Sequence, residues 1–333
     1  MKEQTTRISE MEHFHFGGKV FCSDGEDGVL ISLGIDPQTQ QVVSLGIRQR
    51  RFFGRLVTVP FSVVNAAGAD GIVLSCTHEE MVAAHEPISC VRIDGRSSVL
   101  ETNSGAHGTL SLVALHPENG RLAYIVARNL RNGQDMLLQE QYVVKIEEGV
   151  ISTTLPEATF QTLPPYRSDE ELQSEVESVV MDITPLHIDF PAMSIGVLDG
   201  VLYLDGNISS SLRGEMVEDQ AGGVQGLLEI KNRLVGDDQL AADLALALGR
   251  DPRTRDLPIG VYPRLGVILL SGSVRTKQQR EAAEKIASSF DGVRGVENNL
   301  SVDPKADLLN VLSFAGRHET EDIVPGKVIR HTK

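Results

Sequence analysis

His13-Phe14-His15 are the first residues in the chain whose type and spacing suggest chemistry. On a β-strand residues i and i+2 share a face, so both imidazoles would point the same way, an arrangement that suits Zn or Ni. No third ligand is identifiable beside them, and the expectation is a solvated strand start. Ser23-Asp24-Gly25-Glu26-Asp27-Gly28 gathers oxygens but lacks the ligand spacing of a calcium loop, so it reads as an Asp-Gly turn between strands. His78, His85, His107 and His116 are scattered through loops, and no G-x-S-x-G, H-E-x-x-H or P-loop pattern occurs. Ser104-Gly105-Ala106-His107-Gly108 is glycine-rich but precedes a strand, so no phosphate site at a helix N-terminus follows. Cys22, Cys76 and Cys90 lie far apart in apolar stretches and read as buried free thiols, without zinc or disulfides. No catalytic residue, cofactor or metal ligand is therefore assigned, and the expectation is a protein that is not an enzyme.

Contact chemistry is better represented. Arg48, Arg50, Arg51 and Arg55 surround Phe52-Phe53, a basic and aromatic cluster suited to a protein interface or to anionic headgroups. Asp169-Glu170-Glu171 with Glu175 and Glu177 reads as a solvated helix face, with docking of a basic partner as the alternative. Leu308, Leu309, Val311, Leu312 and Phe314 form an apolar patch near the end, part of it expected to be helical; Leu308, Leu309, Leu312 and Phe314 are candidates for tail docking. Across the 333 residues the net charge is −15, aromatic residues are 5% and Trp is absent. That balance opposes phosphate-backbone binding and base-stacking platforms, so nucleic acid is not an expected partner. Residues 1–12 show no apolar run behind a basic start, and no window approaches the roughly 18 apolar residues of a spanning helix. The expected location is the cytoplasm, with at most a peripheral place at the inner face of the membrane.

Two internal duplications dictate the elements that carry these residues. At an offset of 80, Gly28-Val29-Leu30-Ile31-Ser32-Leu33 falls on Gly108-Thr109-Leu110-Ser111-Leu112-Val113, Pro37 on Pro117 and Arg48 on Arg128. Short apolar runs entered through Pro and Asn-Gly turns indicate a small sandwich or barrel in each copy. At an offset of 66, Gly200-Val201-Leu202-Tyr203-Leu204-Asp205-Gly206 falls on Gly266-Val267-Ile268-Leu269-Leu270-Ser271-Gly272. Each of these copies reads helix, hairpin, helix, strand. In the second, Asp237-Asp238 opens a helix with Leu240, Leu244 and Leu248 on one face, Thr276 caps the next helix, and Gly292 ends it.

The second half resembles the BON domain, a small α+β module common in bacterial envelope and osmotic-stress proteins. The resemblance rests on the run from Leu265 to Val274, Gly292-Val293-Arg294-Gly295-Val296 and Asn298-Asn299-Leu300. The first half is similar to tandem PRC-barrel modules, as in the reaction-centre H subunit and a ribosome maturation factor. It shows that rhythm in Gly18-Lys19-Val20, Ile35-Asp36-Pro37, Val59-Pro60-Phe61 and Asp70-Gly71-Ile72-Val73-Leu74. The expected fold is α+β multidomain: two small antiparallel β-barrels followed by two small helix-on-sheet modules. The boundaries expected are an N-terminal arm 1–15, PRC-like modules 16–87 and 88–164, BON-like modules 168–235 and 236–303, and a tail 304–333. The expected function is modular binding or scaffolding through protein docking or self-association. The BON resemblance implies phospholipid surfaces as the alternative, and the PRC resemblance implies a ribosome- or RNA-associated assembly factor.

Overall fold

Polar turns punctuate nearly every apolar run of the first half, so no run is long enough for a packed helix, and strands form instead. The computed structural model describes residues 7–50, 54–83 and 90–307. The strands are β1 (Glu12–His15), β2 (Lys19–Cys22), β3 (Gly25–Asp36), β4 (Gln41–Gln49), β5 (Leu56–Pro60), β6 (Val64–Gly68) and β7 (Gly71–Leu74). A short helix α1 (His78–Ala83) follows, and then β8 (Val91–Asp94), β9 (Ser98–Glu101), β10 (His107–Leu115), β11 (Leu122–Arg131), β12 (Gln134–Gln139), β13 (Val143–Glu147) and β14 (Val150–Thr153). They build two sheets of one topology, β5-β4-β3-β2-β7-β6 and β12-β11-β10-β9-β14-β13.

The ends of each order are neighbours in the chain: β5 and β6 are separated only by the turn Phe61–Val63, and β12 and β13 by Glu140–Tyr142. Three residues span roughly 10 Å at most, so each sheet must curl back on itself. The sheets are not wholly antiparallel, which corrects the expectation: β2 pairs with β7, and β9 with β14, in parallel. The corner turn between β5 and β6 bends the chain without reversing it. The later β6–β7 hairpin therefore returns in the same sense as β2.

Each repeat borrows a strand. β1 precedes the first repeat but pairs with β10 of the second, His13 opposite Ala114 and Phe14 opposite Val113. β8 lies within the bounds expected for the second module, 88–164, but pairs with β3 of the first, Ile93 opposite Leu33. The turns meet as well: Gln41 bridges Arg121, its equivalent at the 80-residue offset, with Val42 N–H donating to Gly120 O and Leu122 N–H to Gln40 O. One hydrophobic cluster, running from Phe14 to Phe160, draws residues from both repeats. Gly28 and Gly108 are required at equivalent places, because a Cβ would lie 2.4 Å from Arg48 O and 2.6 Å from Arg128 O.

The second half begins after α2 (Glu157–Thr162) with α3 (Asp169–Met181), β15 (Met193–Leu198), β16 (Val201–Ile208), α4 (Ser211–Ala221) and β17 (Glu229–Gly236). It continues with α5 (Asp237–Arg250), β18 (Ile259–Arg264), β19 (Val267–Val274), α6 (Lys277–Ser288) and β20 (Gly295–Val302). The sheets run β15-β16-β17 and β18-β19-β20, so the chain is mixed α+β. Contacts recur at the 66-residue offset. Asn232 donates to Gly214 O and Glu218, and Asn298 to Arg280 O and Glu284. Thr276 and Gln279 form a reciprocal capping box on α6. That helix ends at Ser288, four residues before Gly292, whose left-handed φ of 84° serves the following turn. By compactness the chain divides into Met1–Glu177 with Gly196–Tyr203 and Gly222–Lys231, and Ser178–Ile195 with Leu204–Ala221 and Asn232–Lys333. In the second unit Leu240, Leu244 and Leu248 of α5 and Ala283 and Ala287 of α6 pack on Ile268, Leu270 and Leu300.

Candidate functional site

The arginine cluster lies at the turn end of the β4–β5 hairpin. Arg48 faces Leu56 across the ladder, and Gln49 N–H donates to Arg55 O at 3.0 Å. Arg48, Arg50 and Arg55 are exposed, but Arg50 pairs with Glu26, which also attracts Lys19 at 4.0 Å. The patch is therefore mixed in charge, and exposed pairs of this kind contribute little. Arg51, Phe52 and Phe53 lie outside the described residues, as do Leu308, Leu309, Leu312 and Phe314.

The sheet β18-β19-β20 has one face on α5 and α6. Strand parity puts Ile268 and Leu270 on that face and Val267, Leu269 and Ser271 on the other. Tyr262, opposite Leu269, belongs to the second face and is 59% exposed. Its ring lies across Gly260, where a Cβ would be 2.7 Å from the Tyr262 ring. Tyr262, Gly260, Ser271, Gly272 and Ser273 border a shallow groove of about 340 Å³. Nothing in the sequence patterning singled out Tyr262; alternation along β18 would have placed it on the outer face.

The His-x-His pair behaves differently from its expectation. Parity holds, and both rings leave the sheet on one face, but His13 is only 4% exposed and is no solvated strand start. Its Nε2 lies 2.8 Å from Tyr124 Oη, and its Nδ1 lies 3.4 Å from Asp199 Oδ2. His15 Nε2 lies 2.5 Å from Asp199 Oδ1. Tyr124 belongs to an outer apolar cluster on β10 and β11, joined by Ile8, Met11 and Tyr166. Burial pushes His13 below the ordinary imidazole range, against the pull of the Asp199 carboxylate. Burial alone would raise Asp199, but the hydrogen bond from His15, the two imidazoles and Ala69 N–H outweigh it, and the carboxyl is held low.

Hydroxyl, imidazole and carboxylate stand in the order of a nucleophile, base and orienting group. Tyr124 is only 3% exposed, and burial, then Tyr166 and Asp199, push its phenol further up. A substrate has no access to it. The His15–Asp199 separation is that of a hydrogen bond, with no room for an ion between the atoms. Among the described residues no group of three or more His, Cys, Asp or Glu is disposed to hold a metal. Cys22 is a buried free thiol, pushed up to about 12 by burial and then by Cys76 and Asp27, which leaves it a poor nucleophile. No helix among the described residues is long and apolar enough to cross a membrane.

Residues 236–304 match the BON domain family, and the match coincides with α5, the β18-β19-β20 sheet and α6. Osmotically-inducible protein Y of Escherichia coli (strain K12) is 25% identical over 148 residues, which span 40% of this chain and 73% of that protein. Neither description names an enzyme. CdsD, a structural protein of the type III secretion system of Chlamydia trachomatis, is 15% identical over 45% of this chain and 69% of its own, with a TM-score of 0.33. Its C-terminal domain is 14% identical over 47% and 75%, with a TM-score of 0.34.

Proposed function

We propose that this chain is a non-enzymatic binding and scaffold protein whose small modules engage protein partners, or further copies of the chain, at several points at once. The observation that carries this reading is the 236–304 BON module: it has its own hydrophobic core, and Tyr262 stands exposed beside a groove on the sheet face away from α5 and α6. The PRC-like character of 16–87 and 88–164 and the BON-like character of 168–235 belong to the same proposal, supported by the contacts that recur at offsets of 80 and 66. Linked modules raise one another's effective concentration at a partner, so weak single contacts suffice. The apolar tail with Leu308, Leu309, Leu312 and Phe314 supplies a further docking element. Removal of residues 308–333 is expected to lower the assembly mass measured by light scattering; an unchanged mass removes the tail from the assembly role.

A phospholipid surface is the second reading, implied by the BON resemblance and favoured by the exposed Arg48 and Arg55 beside the Glu26-paired Arg50, a local concentration of arginine in a chain of net charge −15. Flotation with anionic liposomes separates the readings. If the parent chain does not float, the lipid reading fails. If it floats and Arg50/Arg51/Arg55→Ala does not, the hairpin is the contact.

A further inference from the structure

β1 is only four residues long, yet it completes the sheet of the other repeat. Four residues of ladder are a weak hold, so side chains must supply the rest. Phe14 enters the core, and the opposite face carries His13 and His15, both directed at one carboxylate, Asp199.

Asp199 sits in the β15–β16 turn with φ 52°, followed by Gly200 with φ 75°. The Asp169 carboxylate of α3 accepts the N–H groups of both, each at 2.8 Å. At the 66-residue offset the same turn is built from Leu265, with φ 48°, and Gly266, whose N–H groups donate to Asp237. The turn thus forms with leucine in this position, and its geometry does not require the Asp199 side chain. What that side chain does is hold two imidazoles.

The partners fix the protons. His13 Nε2 lies within hydrogen-bond distance of the Tyr124 hydroxyl, and its Nδ1 faces Asp199 Oδ2 at 3.4 Å, so a neutral ring carrying its proton on Nδ1 suits both partners. A second ring proton would reverse that bond, making the Tyr124 oxygen the acceptor and leaving its own hydrogen to find another partner in a buried site. His15, partly open to solvent, meets Asp199 without such a conflict. We propose that His13, His15 and Asp199 form a proton-binding latch that fastens the exchanged strand β1 at neutral pH and loosens it when His13 takes its second ring proton. Loosening β1 frees the edge of β10 along 112–115 for another strand.

Burial sets this sign, with His15 beside it, against the upward pull of the neighbouring carboxylates. Asp199 and Asp169 are the anions nearest His13, and Asp70 lies on the β6–β7 turn that borders the same cavity of about 310 Å³ with Ser9 and Tyr203. Glu229 on β17 is engaged by Ser9 and Lys231, while Tyr124 and Tyr166 are held neutral. Because burial depresses His13, the free strand binds more protons than the docked one just below the ordinary value of 6.5, and docking weakens as pH falls. Glu12, also on β1, is raised by burial and acts in the opposite sense, so the variant difference is the proper measure.

Hydrogen exchange of the β1 amides, corrected for intrinsic rates, is compared at about pH 7.5 and 5.5 in the full chain. Protection should fall severalfold, and at most about tenfold, because only one pH unit separates 5.5 from the ordinary value of 6.5. In His13→Gln, which keeps a polar side chain but cannot titrate, the fall should vanish. Asp199→Leu should leave β1 weakly protected at both values. An equal fall in wild type and His13→Gln overturns the latch. So does an NMR titration of wild-type His13 with a midpoint at or above 6.5, a reading independent of whether any variant folds.

Discussion

The Glu101 side chain is fully buried, yet its carboxylate accepts from Asn103 N–H, Ser104 N–H, the Ser104 hydroxyl and Leu155 N–H, at 2.5 to 3.2 Å. Burial alone would raise its carboxyl; these donors, Ser104 first, outweigh burial and hold it below 4.5. Its stabilising effect is then fully present above about 4.5 and is lost as pH falls through the depressed value. Glu101→Gln should cost about 1–3 kcal/mol in urea unfolding at neutral pH, with the gap to wild type closing in acid. Asp237 and Asp169 do the same work at the two hairpins, which is why these carboxylates mark turns and not chemistry. The histidine spacing was legible, and so was its shared face. The burial of His13 was not, because the hydroxyl it meets lies 111 positions away in the sequence.

At the scale of single elements the patterning reads well where the information is local. The Thr276 cap, the apolar face of α5 and the hairpin turns follow from spacing alone, since each depends on neighbours within a few residues. Gly272 shows the opposite dependence. It has φ 121°, and a Cβ there would lie 2.0 Å from Pro258 O; at the equivalent Gly206 the contact is 2.3 Å from Ala192 O. Repetition at a 66-residue offset marked both glycines, but the carbonyl that excludes a side chain belongs to the residue just before the adjoining strand, β18 or β15. Gly272→Ala should destabilise by about 2 kcal/mol or more from backbone strain alone, measured by chemical unfolding. The parallel pairs β2–β7 and β9–β14 were likewise invisible, because a corner turn and a reversing turn can have equally short sequences.

For the whole molecule, the exchange of β1 and β8 makes the two repeats at the 80-residue offset one structure with one core. Deleting residues 1–15 should therefore injure the second repeat. Amides of 112–115 on β10 are expected to lose protection in hydrogen exchange, while 32–35 on β3, which pair with β8, keep theirs. The reverse pattern would show that β1 serves its own repeat.

The sequence by itself determined the element types, both duplications, the BON-like pattern of the last module and the absence of a convergent catalytic motif. These are written in periodicity, turn residues and internal repetition, all of which act over short stretches or compare like with like. Only the tertiary structure decided which repeat owns β1, that two sheets share one core, and that His13 and His15 close on Asp199. Such facts depend on which distant strands pair and on what burial does to a proton, and neither is encoded in spacing along the chain.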